Sequence, residues 1–479
     1  MPISYNAALS ILQDLARKRS SYFFHHEELV PITAAVGRIC KIDYTSTHPT
    51  PAFDTSAMDG FAVSSKLTEE ASTSNPIKLR INGIIAAGDQ PISTSTDWES
   101  GYLPCVEIMT GAPFPISMSA SPFDACIRIE DTTPVRDSGG EVQLVKIVKP
   151  ALPNQNRRFA GADFQENDLV ISKGSTIRAQ HVMALASLGI NQISVSRRLR
   201  IAIFSTGSEL LSFESDQDDK SRTRDSNGPY IQATLRELGV DATYFGIIRD
   251  DRRTFEDTVR STLAESEYDA VITTGAVSMG KFDFVRSGLA GLGADVRFHK
   301  VAIRPGHPVL FAMVPSQREG LPNDNDTSTA QPSEAPMYTG RRHEVPFFGL
   351  PGNPLATVVC FRFLVIPYLR FLHGQAAERP TPVRLNTNEN PSSQINESKT
   401  TAKLLQKPEQ LRVFWHGKAR SMPSGSEFEV HQDQGSSKIK TLLNANGWVV
   451  AHEGVGQVNH GDVMDSFPLI PSSLGNDSG

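Results

Sequence analysis

Apolar and polar residues alternate in different ways along the chain, and each pattern predicts a different kind of element. Residues 5–18 repeat apolar positions at helical spacing, and so does IRAQHVMALASLG, which starts near Thr176 and stops at Gly189. From about residue 50 to 150, short alternating runs such as IKLRINGII and VQLVKIV lie between clusters of Gly, Pro, Ser and Asp. This predicts a mainly β insert within a discontinuous first domain.

From Arg200 onward, strand and helix patterns alternate. RIAIFSTG, ATYFGII and DAVITTG predict buried strands, whereas PYIQATLRELG and a run from about Arg253 to Glu265 predict helices. This alternation is typical of a parallel α/β sheet with helices on its faces. Ligands of such sheets bind at the carboxyl ends of the strands, so the loops that follow these strands are the candidate sites.

The remaining segments complete the predicted architecture. The polar stretch 315–345 is rich in Pro, Ser, Thr and Asn, which predicts a disordered loop. LRVFWHG, EFEVHQ and GWVVAHE predict strands of a small C-terminal β domain. The predicted fold is multidomain, α/β and β, with these parts: a discontinuous helical and extended N-terminal domain (1–48 and 155–198), a β insert domain (49–154), a central parallel α/β domain (199–375) and a C-terminal β domain (376–479).

Length and charge narrow the class of protein. With 479 residues and 39% hydrophobic content, the chain can fill the cores of about three domains. Its formal net charge of −6, from 47 basic and 53 acidic residues, argues against nucleic acid as a partner but allows a local basic pocket.

Cysteine usage and apolar runs predict the compartment. The 4 cysteines form no C-x-x-C pair, so neither a zinc ribbon nor a disulfide framework is indicated, and a reducing compartment fits best. The N-terminus lacks the uninterrupted apolar core of a secretory signal. LATVVCFRFLVIPYLRFL is interrupted by Arg362 and Pro367, which we interpret as too short and too broken to span a bilayer. We therefore expect a cytoplasmic protein without a membrane span.

TTGAVSMGKFDF, residues 273–284, follows a predicted strand and carries candidate ligand contacts. Small residues at Gly275, Ser278 and Gly280 allow backbone amides to approach an anion closely. Asp283 could hold a metal ion that bridges such anions. Taken alone, the loop is also compatible with a plain strand-to-helix turn.

Acidic residues follow the neighbouring predicted strands. STGSEL places Glu209 where a helix could begin, IIRDD supplies Asp250, and RDSN supplies Asp225. Each is compatible with a capping residue or a solvated loop charge. Several carboxylates at neighbouring strand ends, however, usually need a cation such as Mg²⁺.

Other stretches have turn-forming residues beside chemical groups. PTPAFDTSAMDGFAV carries Asp59, and EIMTGAPFP carries Thr110, although both could be simple turns. In FFGLPGNPLATVVCF, Asn353 is a good helix N-cap before a proline, and its backbone amides would face the strand-end side. HKVAIRPGHPVLFAMV places Arg304 and His307 on a Pro-Gly corner between two apolar runs that both predict buried strands.

In order, these stretches resemble the molybdopterin molybdotransferase (molybdenum insertase) family, which includes the bacterial enzyme, the plant E domain and the gephyrin E domain. The resemblance covers nearly the whole chain and rests on PAFDTSAMDGFAV, EIMTGAPFP, RRFAGADF, IFSTGSEL, TTGAVSMGKFDF, HKVAIRPGHPVLF and FGLPGNP, with a weaker match at SSKIKTLLNANGWVV. It implies that the α/β domain is of the molybdopterin-binding type. The implied reaction is Mg²⁺-dependent insertion of molybdate into adenylylated molybdopterin with release of AMP.

The resemblance also implies roles for individual residues. Catalytic roles fall on Asp59, Thr110, Asp163, Glu209, Asp250, Asp283 and Lys300, with Asp250 and Asp283 as metal ligands. Substrate or anion binding falls on Arg158, Ser205, Gly207, Gly275, Ser278, Gly280, Arg304, His307, Pro351, Gly352, Asn353, His416 and Ser436. The implied assembly is a homodimer with the site between subunits, and the implied further partners are a molybdopterin adenylyltransferase and molybdoenzymes.

The chain departs from the family pattern at several of these positions. The family usually has lysines at Arg304 and His307, an acid at Ala162, a second glycine at Ala276 and an arginine at His416. Arg and Lys are not interchangeable at tight anion sites, and a neutral His lowers the local positive charge. The alternatives are therefore a divergent paralog that acts on another oxyanion, or a scaffold such as gephyrin. A separate molybdopterin adenylyltransferase is disfavoured by the extra domains.

Overall fold

The structure is a computed structural model that describes residues 1–25, 27–94, 102–117, 121–136, 142–216, 219–265, 267–277, 284–316, 344–386, 405–423 and 425–474. The chain forms two compact units. The first comprises Met1–Ile42, Lys173–Arg178 and Gln192–Gly479, and the second comprises Asp43–Ser172 and Ala179–Asn191. The predicted disordered loop lies outside the described residues, apart from its ends. The four-part division of the chain stays a prediction.

The helices are α1 (Tyr5–His25), α2 (Ala179–Ser187), α3 (Asn227–Glu237), α4 (Arg252–Glu265), α5 (Val285–Gly291), α6 (Pro354–Cys360) and α7 (Ile366–Leu372). The strands are β1 (Glu27–Pro31), β2 (Tyr44–Thr45), β3 (Thr55–Ser56), β4 (Gly60–Val63), β5 (Ile77–Ile85), β6 (Ser93–Thr94), β7 (Leu103–Ile108), β8 (Ile116–Ser117), β9 (Ala125–Arg128), β10 (Thr133–Arg136), β11 (Val142–Ile147), β12 (Arg157–Arg158), β13 (Leu169–Ile171), β14 (Gln192–Ser196), β15 (Arg200–Thr206), β16 (Leu210–Leu211), β17 (Thr223–Arg224), β18 (Asp241–Ile248), β19 (Ala270–Thr274), β20 (Asp295–His299), β21 (Ile303–Arg304), β22 (Leu310–Pro315), β23 (Glu344–Leu350), β24 (Thr381–Asn386), β25 (Leu405–Gln406), β26 (Arg412–Met422), β27 (Gly425–Val430), β28 (Gly447–Ala451), β29 (Gln457–Val458) and β30 (Val463–Pro468).

The central sheet of the first unit has the strand order β18-β15-β19-β23-β22-β20. Its first four strands run parallel, as the alternating pattern predicts. Strand β22 runs antiparallel to β23, and β20 runs antiparallel to β22, so β22 runs opposite to the other five strands and the sheet predicted to be parallel is mixed. On β15, Ile201 and Ile203 pack in one hydrophobic cluster with α3, whereas Ala202 and Phe204 pack in another with α4 and α5. Successive side chains of a strand point to opposite faces, which explains why the whole run is apolar.

The apolar stretch Pro354–Leu372 is one helix of the core. It has the length and the mean hydropathy, 1.8, of a membrane-spanning helix, but 94% of it is buried inside the protein. We expected Pro367 to interrupt it; instead a π-helical turn over Phe361–Val365 carries the helix past the proline. Proline has no N–H to bond the carbonyl of Phe363, and the hydroxyl of Tyr5 donates to that carbonyl at 3.1 Å. The first helix thereby compensates for the proline.

The Pro-Gly corner joins two sheets of the first unit. Its leading strand, β21, pairs with β26, whereas β22, which follows the corner, belongs to the central sheet. Gly306 has φ 107°, and a Cβ there would lie 2.5 Å from the Sγ of Cys360 on α6. The Cys360 thiol donates to the carbonyl of Gly306 at 3.3 Å. The glycine is required by both conformation and space.

The C-terminal strands form a second sheet of the first unit, with the order β21-β26-β27-β24-β30-β28. The predicted runs LRVFWHG, EFEVHQ and GWVVAHE coincide with β26, β27 and β28. One face buries Val413, Trp415, Phe428 and Val449 in a cluster of its own. This sheet carries the predicted site residue His416.

The second unit is built on a sheet with the order β10-β11-β5-β7-β4-β9. The predicted run IKLRINGII is β5, and its buried positions alternate with more exposed ones. Phe61, Leu79, Cys105, Ile127 and Val145 fill one face of the sheet. Helix α2 belongs to this unit and ends at Ser187, two residues before Gly189, the predicted stop, which has φ 72°.

Candidate functional site

Three loops meet at the carboxyl edge of the central sheet. The amide of Gly275, after β19, donates to the carbonyl of Leu350 at 2.9 Å. The side-chain amide of Asn227, at the start of α3, donates to the carbonyl of Gly352 at 2.8 Å. The predicted TTG, RDSN and LPGN stretches are thus hydrogen-bonded to one another, at the position where ligands of such sheets bind.

Glycine 275 is the point of closest backbone approach in this edge. It has φ 89°, and a Cβ on it would lie 2.3 Å from the carbonyl oxygen of Thr206. A Cβ on Gly352 would lie 3.6 Å from the Cα of Gly275. Ala276 has φ 49°, a left-handed conformation that disfavours any side chain. The glycine that the family usually has there would adopt this conformation without strain.

Asp225 is buried and is not the solvated loop charge that the sequence suggested. It is 4% exposed and accepts hydrogen bonds from the hydroxyls of Ser205 at 2.8 Å and Tyr244 at 2.5 Å. Burial raises the pKa of Tyr244, and its bond to Asp225 raises it further. Ser205 is fully buried, so its hydroxyl serves this network rather than the surface of the edge.

Asp250, which follows β18, contacts the turn after β15 that carries Glu209. The Oδ2 atom of Asp250 accepts the amide of Ser208 at 2.9 Å. A Cβ on Gly207 would lie 2.6 Å from the carboxylate of Glu209, so that carboxylate folds back over the glycine. The expected helix does not start here, because Glu209 stands in a turn that leads into β16, and α3 begins only at Asn227.

The start of α6 is held by the C-terminal segment. Asn353 stands at the N-cap with Pro354 after it, as predicted, but its side chain makes no cap hydrogen bond. It donates instead to the hydroxyl of Ser436 at 3.3 Å. The carbonyl of Ser436 accepts the amide of Leu355 at 2.8 Å, so that amide is not available to an anion as the sequence suggested. Pro351 is likewise occupied, because its carbonyl accepts the hydroxyl of Thr357.

The Pro-Gly corner presents basic side chains. Arg304 is exposed, and Lys300 and His307 are partly buried. Within the described residues, none of these three side chains makes a hydrogen bond or ion pair. Lys300 has φ 77°, which places a long side chain on an unusual left-handed turn. Because Gly306 packs on α6, the corner lies against the helix that follows the LPGN loop.

His416 is fully buried and offers no exposed cation. Its Nε2 atom is 2.8 Å from the hydroxyl of Thr441, and its ring stacks on that of His431 at 5.5 Å. Burial lowers the pKa of His416 to about 4, and the neighbouring His431 lowers it further. The ring is therefore neutral at pH 7, and Gln434 brackets its backbone by bonding both the N–H and the carbonyl.

The second unit brings its predicted residues together in pairs. The Oδ1 atom of Asp59 accepts the amide of Thr110 at 2.6 Å, and this bond lowers the pKa of the exposed carboxyl group. Arg158 and Asp163 form an ion pair whose side chains are both about half exposed. Strand β3 lies shortly before Asp59 in the chain, and it pairs with β12, which contains Arg158. The side chains of these four residues are charged or polar, and all of them are exposed to solvent.

Three predicted residues, Ser278, Gly280 and Asp283, lie outside the described residues. Within the described part, no group of three or more His, Cys, Asp or Glu side chains is arranged to hold a metal. Among the described residues, the carboxylates of Asp250 and Glu209 both contact the turn after β15, and carboxylate oxygens are ligands that a hard cation prefers.

The sequence reasoning missed Asn227 and Gln434. Asn227 connects two loops of the edge, and Gln434 fixes the segment that carries Ser436. The signal for Asn227 was present in RDSN directly before a helix. Gln434 had no such signal, since its role depends on a backbone approach between β26 and the segment after β27.

Two family models match the chain. The family described as "MoeA N-terminal region (domain I and II)" matches residues 3–189. The family described as "Probable molybdopterin binding domain" matches residues 202–371.

Curated relatives match over most of the chain. The molybdopterin molybdenumtransferase of Synechococcus elongatus is 28% identical over 457 residues, which is 95% of this chain and 96% of that protein. The same enzyme of Nostoc sp. is 31% identical over 349 residues, covering 73% of this chain and 70% of that protein. Gephyrin of Dictyostelium discoideum is 28% identical over 475 residues, covering 93% of this chain and 60% of gephyrin.

Solved structures agree on the fold. A molybdopterin biosynthesis MoeA protein from Pyrococcus horikoshii superposes with a TM-score of 0.69 at 24% identity, over 98% of this chain and 100% of that one. Another structure, described as a molybdopterin biosynthesis MoeA protein from Pyrococcus horikoshii OT3, gives a TM-score of 0.67 at 20% identity, over 97% of this chain and 99% of that one.

Proposed function

The chain belongs to the molybdopterin molybdenumtransferase family, and from this premise we propose that it inserts molybdate into adenylylated molybdopterin, releasing AMP and the finished molybdenum cofactor. One observation carries most of the proposal. Arg304, His307 and Lys300 have no partner within the described residues, and their corner packs on α6, which starts at the LPGN loop. Unpaired basic groups beside a strand-end edge suit two anionic substrates.

In this proposal, basic side chains bind molybdate and acidic side chains bind Mg²⁺. Arg304 holds a permanent positive charge for molybdate, and His307 donates a hydrogen bond. The backbone of Gly207 and Gly275 allows the phosphates to approach the edge closely. Asp250 and Asp283 would hold Mg²⁺, which when bound neutralises charge on the phosphoanhydride.

The second unit contributes its own groups to this proposal. Asp59, kept ionised by the amide of Thr110, and the Arg158–Asp163 pair offer charges for the substrate or its leaving group. We infer a cytoplasmic homodimer in which these groups complete a site formed by the first unit of the other subunit. A molybdopterin adenylyltransferase would supply the substrate, and apo-molybdoenzymes would accept the product.

A second candidate function follows from His416. The family usually has an arginine there, whereas this ring is buried and neutral, with a pKa of about 4. Together with a histidine in place of lysine at position 307, this lowers the permanent positive charge for the oxyanion, of which Arg304 keeps its share. A paralog with weak molybdate capture, acting on another oxyanion or as a scaffold, is the alternative.

One assay separates the two. Purified protein receives adenylylated molybdopterin and Mg²⁺, with molybdate, with tungstate or without either, and AMP is measured together with reconstitution of an apo-molybdoenzyme. The proposed function predicts release that depends on molybdate and yields active molybdoenzyme. Nucleotide that stays bound and unreacted with every oxyanion would rule out the proposed function and favour the scaffold.

A further inference from the structure

A polar cavity lies at the end of the central sheet opposite the strand-end loops. Its wall includes Leu199, directly before β15, and Val240, directly before β18. Since β15 has 7 residues, about 23 Å of extended chain separate this wall from the carboxyl edge. The cavity measures about 330 Å³ when the open solvent at its mouth is counted, so its enclosed part has room only for a small ligand. It is therefore separate from the candidate active site.

Basic groups dominate the wall. Arg38, Arg197, Arg198 and His373 line it, and none of the described lining residues is acidic. Their acidic partners stand behind the wall: Arg38 bonds Glu28 at 2.6 Å, and Arg197 bonds both carboxylate oxygens of Asp269. These two guanidinium groups are fixed in place while their charge still acts on the cavity.

Arg198 is held less firmly than the other two arginines. Its contact with Asp241 measures 3.6 Å, and both side chains are about half exposed, 45% and 56%. Exposed pairs of this kind contribute little free energy, so Arg198 can turn toward a ligand at small cost.

His373 is a buried polar group in this wall without a partner. It is 9% exposed, and its ring makes no hydrogen bond within the described part of the chain. Its ring nitrogens are not among the fully buried polar atoms that lack a partner, so they reach the cavity, where solvent or a ligand can bond them. A ligand with an acceptor oxygen would satisfy the ring.

The charges around His373 come from several elements. Arg370 lies on α7, which ends directly before His373, whereas Lys41 lies before β2 and Arg197 before β15. Burial is the largest cause that lowers the pKa of His373, to about 4, and these three cations lower it further; no acid opposes them. Lys41 in turn has Glu27 and Lys173 nearby. The ring therefore stands in a net positive potential.

We propose that this cavity binds a tetrahedral oxyanion of phosphate or sulfate size, held by the guanidinium groups of Arg38 and Arg198 and by the ring of His373. The guanidinium fork matches such an anion with paired hydrogen bonds. The bound anion places negative charge beside His373, which then takes up a proton and donates to an anion oxygen. The site goes beyond the proposed function and does not depend on it.

The test uses sulfate, which stays a dianion between pH 5 and 7, so that any pH effect comes from the protein. Calorimetric titrations at constant ionic strength compare Arg198→Ala with Arg420→Ala, in which another ion-paired, exposed arginine is removed. Sulfate bound elsewhere, for instance at Arg304, contributes equally to both. We expect sulfate to bind Arg198→Ala about tenfold more weakly or worse, since a charged hydrogen bond is lost. Equal binding by the two variants would overturn the proposal.

A second measurement addresses His373. Binding to the wild-type chain tightens severalfold from pH 7 to pH 5, because the bound anion favours the protonated ring. The folded His373→Gln variant binds with little pH dependence; a slope as steep as that of the wild type would contradict the assignment. Glycerol phosphate is titrated in parallel. It binds only if the open mouth of the cavity admits a phosphate group that is attached to a larger ligand, so its binding distinguishes such a ligand from a free inorganic ion.

Discussion

The side-chain amide of Asn227 donates a 2.8 Å hydrogen bond to the carbonyl of Gly352 and so ties the start of α3 to the loop before α6. Two residues before Asn227, Asp225 anchors the same segment to β15 and β18 through Ser205 and Tyr244. The LPGN loop is therefore positioned through a buried network rather than by its own sequence alone.

Asn227→Ala tests this connection. Loss of a neutral hydrogen bond that holds the loop costs about 1 kcal/mol, so we expect kcat/KM for AMP release to fall about fivefold. Stability should change by a similar free energy. Asn75→Ala removes a comparable side-chain bond to the carbonyl of Glu70, far along the chain, and should leave turnover unchanged. Full activity in Asn227→Ala would show that the loop holds its position without this bond.

Gly306→Ala tests the corner. The substitution forces a side chain onto φ 107° and drives its Cβ to 2.5 Å from the sulfur of Cys360, so we expect a loss of about 3 kcal/mol in unfolding free energy. Gly246 has a similar φ of 95° but open space around it, and Gly246→Ala should cost only about 1 kcal/mol. Chemical denaturation measures both.

The double variant Gly306→Ala/Cys360→Ala separates the two causes. Removal of the sulfur relieves the contact but not the backbone strain, so part of the loss should be recovered relative to Cys360→Ala alone. If no stability is recovered, the contact with α6 is not what requires glycine here.

His416 makes stability depend on pH. In the folded chain its pKa is about 4, whereas in the unfolded chain a histidine titrates near 6.5. Between these values the unfolded state binds more protons, so stability is highest above pH 6.5 and falls as the pH drops toward 4. We expect about 2 kcal/mol from this residue between pH 6.5 and 4.5.

The comparison is between unfolding free energies of the wild type and His416→Gln across this range, and the variant should show the shallower slope. Thr441→Val is the control, because it removes the partner of the ring but leaves the titrating group buried. It should lower stability at every pH while keeping the slope. Parallel slopes for wild type and His416→Gln would place the acid sensitivity elsewhere.

The sequence predicts most elements of this fold because burial has a clear periodicity in them. The strand β15 is apolar at every central position since helices cover both of its faces, and β5 alternates because its exposure does. The predicted interruption at Pro367 was wrong because Tyr5, more than 350 residues away, donates the hydrogen bond that the proline cannot donate to the carbonyl of Phe363. Tertiary contacts of this kind leave no local pattern.

In the candidate site, too, some residues could be predicted from the sequence and others could not. Gly275 and Gly306 were readable from the sequence, because positive φ and close approach require glycine. Asp225 and His416 were assigned to solvent or ligand, yet both are buried. Residue type alone does not tell whether a charged or polar group faces a ligand or the core, since that depends on which strand covers it.

The corner residues decide between the two candidate functions. His307→Lys adds a permanent charge at a position where the family usually has lysine, and because the His307 side chain has no partner within the described residues, the substitution breaks no contact there. If the chain is a molybdenumtransferase with reduced oxyanion affinity, KM for molybdate should fall about tenfold, with kcat nearly unchanged and a stronger dependence on ionic strength. Lys418→Arg, at a half-buried position of β26, controls for a generic effect of altering a basic residue. An unchanged KM in His307→Lys, with molybdate-dependent AMP release intact, would show that His307 does not contact the oxyanion.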